Sequence, residues 1–150
     1  MDNNNKNPCW PKITDRKYFY HRVSVIFTDF DKDIDYIFSR LEDHNLIVVK
    51  CWDAEAFLAG LSELQTDCVV FSYDAFKNER RIFEALKMVP RLMVVPVAVI
   101  SSPNNSDEEL LKVGVDDIIQ WPIKKSHLIL RLRTLSRLGD LEQSNRFLKA

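Results

Sequence analysis

Glycine is nearly missing from this chain: among 150 residues there are three, Gly60, Gly114 and Gly139. Loops that cradle phosphate use converging backbone amides, commonly Gly-rich and at a helix N-terminus. None of the three glycines lies in the first loop after an apolar run, Thr28-Asp29-Phe30-Asp31-Lys32-Asp33, whose carboxylates repel phosphate. A flavin or nucleotide site of that kind is not expected. Cysteine is equally scarce. Cys9, Cys51 and Cys68 form an odd, unclustered set, which excludes a disulfide framework. Cys51 and Cys68 lie in apolar runs and read as buried free thiols rather than metal ligands, which fits a reducing cytoplasm. His21, His44 and His127 are scattered, and neither Cys51 nor Cys68 has a base at a predictable distance. Nucleophilic catalysis therefore has no support, and no enzyme is expected.

Charge of one sign is lacking too. The formal net charge is −1, so no overall field draws nucleic acid or an anionic membrane. Arg131, Arg133, Arg137 and Arg146 make the last helical stretch basic, but Asp140 and Glu142 interrupt it. No direct nucleic-acid contact is expected. No apolar run approaches the length of a membrane span, and the first residues are too polar for a signal peptide.

What is present is an ordinary globular composition, 46% hydrophobic and 29% charged, enough for one domain with a real core. Residues 1–21 read as an N-terminal extension. Asn3-Asn4-Asn5, Pro8 and Pro11 argue for a disordered tail, while Trp10, Tyr18, Phe19 and Tyr20 offer apolar surface to the domain or a partner. From Arg22 onward short apolar runs alternate with amphipathic stretches. The runs are Val23–Phe27, Leu46–Val49, Cys68–Phe71, Val95–Ile100 and Ile118-Ile119. Between and after them, helical spacing appears at Ile34, Ile37, Phe38 and Leu41; at Ala56, Phe57, Leu61 and Leu64; and at Ile82, Phe83, Leu86 and Met88. It returns at Leu110 and Leu111, with Ser106 as the expected N-cap and Gly114 as the stop, and at Leu128, Leu132, Leu135 and Leu138. Pro96 is tolerable only at the start of its strand. Continuously apolar strands alternating with helices predict a parallel sheet covered on both faces. The expected fold is α/β: a flavodoxin-like, doubly wound (βα)5 three-layer sandwich with a five-stranded parallel sheet. Its site is expected at the carboxyl ends of the strands.

The decapeptide Gly114-Val115-Asp116-Asp117-Ile118-Ile119-Gln120-Trp121-Pro122-Ile123 resembles the fifth-strand signature of two-component receiver (response-regulator) domains. Ala56-Phe57, Asp67 before the third strand, and Pro96–Ser101 also fall in the family's order. The resemblance covers about residues 22–138, with 139–150 left as a C-terminal helix extension or linker. It implies a phosphoryl-accepting aspartate ending the third strand, carboxylates for Mg²⁺ after the first strand, and a lysine before the fifth-strand proline. It also implies a Thr or Ser on the fourth strand and a switch aromatic on the fifth.

By the family's spacing the acceptor place falls on Ser72, the lysine place on Trp121, the hydroxyl place on Ser101 and the switch place on Ile118. Asp74 is the alternative acceptor if the strand continues two residues further. Asp29 lies near the first carboxylate place and alone would hold an ion weakly; Asp31 reads as an N-cap. Trp121-Pro122 is expected to keep the cis peptide usual at this place. Three altered positions point to a degenerate pocket made of Asp29, Asp31, Ser72, Asp74, Ser101, Trp121 and Pro122, narrowed by the indole. The implied function is an atypical, unphosphorylated receiver in two-component signalling, acting as a regulatory protein-interaction module. No cofactor is expected. The alternative is a divergent phosphoreceiver using Asp74, with Mg²⁺ at Asp29. Expected partners are a sensor kinase, an output domain or another signalling protein. Leu138, Leu141, Asn145 and Leu148 are spaced 3-4-3, which fits a coiled coil and a homodimer through the last helix; a helix ended by Gly139 fits as well.

Overall fold

Five short hydrophobic segments become the strands of one sheet. The structure, a computed structural model, describes residues 21–27, 31–41 and 44–149, with side chains as far as 141. The strands are β1 (His21–Ile26), β2 (Leu46–Cys51), β3 (Cys68–Ser72), β4 (Val97–Ser101) and β5 (Asp117–Gln120). All pair in parallel, in the order β2-β1-β3-β4-β5. Every residue of β3 and β4 is buried, which is why both read as unbroken apolar runs. Pro96 immediately precedes β4, where its missing N–H costs no ladder bond.

The helices are α1 (Lys32–Phe38), α2 (Ala54–Ala59), α3 (Tyr73–Asn78), α4 (Arg80–Met88), α5 (Glu108–Val113) and α6 (Lys125–Lys149). One face of the sheet packs Val23, Val25 and Val70 against Ile34, Phe38, Leu128 and Leu132 of α1 and α6. The other packs Val69, Phe71 and Val97 against Phe76, Phe83, Leu86 and Leu110 of α3, α4 and α5. This is a flavodoxin-like three-layer sandwich. The chain reverses direction across the sheet between β1 and β3, so those strand ends flank the crevice where such sheets place their sites.

The third helical region differs from expectation. Ser72 ends β3 and starts a helix at once, its side chain accepting from the Ala75 N–H, so α3 fills the stretch before α4. Met88 does not share the apolar stripe and is exposed. It lies two residues past buried Leu86, about 200° round the helix. Asp107, not Ser106, occupies the N-cap position of α5. Gly114 closes α5 at φ 85°, a left-handed conformation that suits glycine.

Gly139 does not end the last helix. α6 passes through it, and the absent side chain is what lets the helix meet the sheet. A Cβ there would collide with the Asp67 carbonyl oxygen and lie 2.9 Å from Pro96 Cδ. Asn145 and Leu148 lie beyond the described side chains.

Two aspartates tie the amino ends of the strands. Asp67 Oδ2 accepts from the Arg22 N–H at 2.7 Å while its own N–H donates to the Arg22 carbonyl. Asp116 does the same with Val97, at 2.8 Å through its carboxylate. Those groups would otherwise be unpaired at the sheet margin. The Asp67 and Asp116 of the family-like segments therefore have structural work here. No described helix is long and apolar enough to cross a membrane.

Candidate functional site at the carboxyl ends of the strands

Ser72, the last residue of β3, is 1% exposed. Its hydroxyl donates to Asp31 Oδ2 at 2.6 Å and accepts from the Ala75 N–H at 3.2 Å. Asp31 stands at the N-cap position of α1, and its carbonyl accepts from the Asp35 N–H. Its carboxylate makes no cap bond to the helix. The backbone turns there through φ −98°, ψ 43°, and the side chain reaches across to Ser72 instead. Asp31 thus caps α1 by position, not by side-chain chemistry.

Asp74 lies in the first turn of α3 and is exposed. The strand does not continue to it, so it does not share the pleated face that an acceptor two residues beyond Ser72 requires. At the N-terminal turn of a helix a carboxylate complements the backbone dipole. Asp29 lies outside the described residues.

Ser101 ends β4 and is buried. Its hydroxyl donates to Asp107 Oδ1 at 2.8 Å, and Gln120 Nε2 reaches the other carboxylate oxygen at 3.4 Å. The Tyr73 hydroxyl donates to the Ser106 carbonyl at 3.1 Å. The β4–α5 loop is therefore bonded to β5 on one side and to α3 on the other. Asp107 and Gln120 were not visible as site residues in the sequence. An aspartate six residues past a strand carries no local signal, because the return of the loop is what brings it to Ser101.

Trp121 follows β5, and its N–H donates to the Ser101 carbonyl at 2.7 Å. The Trp121-Pro122 peptide is cis. The indole is half-buried against the apolar cluster of the α1/α6 side, which includes Phe27, Phe38 and Ile100. Lys124 and Lys125 are exposed at the start of α6. Ile118 is half-buried and packs against the opposite cluster with Val99 and Leu110. An aliphatic side chain in that place has no ring to rotate.

The described residues by themselves offer a hard divalent cation few ligands. Such an ion wants several oxygen ligands, with carboxylates among them. Among the described residues the β1–β3 crevice presents Asp31, with one oxygen engaged by Ser72. The single described cluster of three His, Cys, Asp or Glu donors close enough for an ion lies at the other end of the sheet.

No protein-family model matches the chain, and no curated protein does. Solved structures do match. A response regulator from Desulfuromonas acetoxidans is similar with TM-score 0.66 and 20% identity, over 79% of this chain and 98% of that one. This is the receiver-domain fold. A putative response regulator from Chloroflexus aurantiacus has TM-score 0.65 at 13% identity, covering 79% of this chain and 98% of its own. The receiver domain of sensor histidine kinase PA1611 from Pseudomonas aeruginosa has TM-score 0.59 at 15% identity, covering 81% and 98%. That protein holds a magnesium ion in its active-site cleft.

Proposed function

We propose that this receiver-fold domain is an atypical receiver: a regulatory protein-interaction module of two-component signalling that does not accept a phosphoryl group. The observation that carries the reading is the bond between Ser72 and Asp31. At the end of β3 stands a buried hydroxyl, already donating to a carboxylate at 2.6 Å. A serine cannot form the acyl phosphate of an aspartate, and it supplies no anionic oxygen to a metal. After β5 the chain carries Trp121, an indole at the position where the resemblance implies an ammonium to neutralise phosphoryl oxygen. The Ser101 hydroxyl is committed to Asp107.

In this reading the domain is no enzyme and carries no Mg²⁺ at the carboxyl ends of its strands. Its signal is the binding of a sensor kinase, an output domain or another signalling protein. A second copy can meet it through α6, where Leu138 and Leu141 are exposed. Any switching requires a partner that prefers one state over the other.

The test is phosphorylation of the full chain. It is incubated with acetyl phosphate and Mg²⁺, and separately with beryllofluoride and Mg²⁺, and followed by intact mass and by fluorescence. No mass gain and no spectral response are expected. An adduct on Asp74 or Asp29 would reverse the reading in favour of a divergent phosphoreceiver.

A further inference from the structure

The amino-end margin of the sheet holds a second group of polar side chains. His21 opens β1, Asp67 immediately precedes β3, and Asp140 lies on α6 beside Gly139. His21 Nδ1 is 3.6 Å from an Asp140 carboxylate oxygen and 4.0 Å from an Asp67 one. One donor atom from each residue lies within 4.8 Å of the other two. We propose that His21, Asp67 and Asp140 form a binding site for a divalent transition metal of the zinc class.

The strongest support is the imidazole. Its Nδ1 is buried and has no hydrogen-bond partner among the described residues, a costly state for a polar nitrogen unless something else occupies it.

The donor set is held by rigid parts. Asp67 is pinned by the Arg22 N–H at 2.7 Å, and the glycine at 139 lets α6 come close enough for Asp140 to reach it. Tetrahedral bonds of about 2.0–2.2 Å to nitrogen and oxygen put ligand atoms roughly 3.3–3.6 Å apart. The observed separations need only small side-chain movements to meet that. An imidazole ligand disfavours Ca²⁺ and Mg²⁺, which take oxygen, and favours Zn²⁺ and its neighbours. Two carboxylates balance the ion's charge, and a fourth position is left for water. A bound ion would join the start of β1, the start of β3 and α6 in one clip.

The full chain is titrated with Zn²⁺ against a chromophoric chelator, and with Co²⁺ by absorption spectroscopy. One ion per chain is expected, with Asp140→Asn and His21→Gln each weakening binding about tenfold or more. His127→Ala, at an exposed position in the first turn of α6, is expected to bind as the parent does. Asp140 is half-exposed, so its variant should fold, and circular dichroism checks both site variants. Zinc-dependent movement of the His21 ring-nitrogen resonances is the second readout. The proposal fails if the parent binds no Zn²⁺, if both site variants bind equally well, or if zinc perturbs only other histidines or cysteines.

Discussion

Ser72 joins β3 to α1 through a 2.6 Å hydrogen bond to Asp31 and at the same time caps α3 through the Ala75 N–H. One buried hydroxyl therefore serves two helices. Ser72→Ala removes both bonds and leaves a carboxylate short of a donor. Loss of an N-cap costs about 1 kcal/mol, and hydrogen bonds to charged groups contribute about 1.5–3 kcal/mol. The expected destabilisation is about 2 kcal/mol. Urea denaturation followed by circular dichroism measures it. A midpoint unchanged from the parent would mean that neither bond contributes to folding.

Gly139→Ala should destabilise the protein although alanine is the better helix former. Alanine gains about 1 kcal/mol over glycine in a helix interior. Its Cβ, however, would strike the Asp67 carbonyl and crowd Pro96, and backbone cannot yield as a flexible side chain does. Overpacking of this kind costs about 1–3 kcal/mol or more. A net loss of about 1–2 kcal/mol is expected, with a lower thermal midpoint. A stabilised variant would show that α6 does not press against the sheet at this point.

Cys68 gives a pH dependence. The thiol is fully buried, and burial pushes its pKa up to about 12 from 9.0. The folded state therefore holds the proton more tightly than the unfolded chain. The stability this contributes is complete below pH 9 and is lost as pH rises from there toward 12. Denaturation midpoints at pH 8 and pH 10.5 should fall further in the parent than in Cys68→Ala, the difference isolating this thiol from tyrosines and lysines. In native protein Cys68 should also resist alkylation, reacting only as the fold opens. Rapid alkylation at neutral pH would contradict its burial.

The sheet was legible because each strand is continuously apolar, and β3 and β4, buried along their whole length, were the plainest. The helices were legible where apolar spacing was complete, as at Ile34 and Phe38. Met88 misled because hydrophobicity was read without its angle. α3 was hidden because Ser72 ends a strand and caps a helix in the same residue, leaving no loop between them. At the carboxyl end Ser72, Ser101 and Trp121 could be located through spacing, but Asp107 and the reach of Asp31 could not. Their positions come from how loops return over the sheet. The group of His21, Asp67 and Asp140 was invisible for the same reason, since three distant segments meet there only after folding.

α6 has 25 residues, a rod about 37 Å long at 1.5 Å per residue. Its tight seat against the sheet falls at Gly139, and helix continues for ten more residues to Lys149, about 15 Å. Such a rod is a lever with its fulcrum at the glycine. A tilt of about 10° there would sweep the far end sideways by roughly 2.6 Å over that arm, so the arm would enlarge a small change at its root.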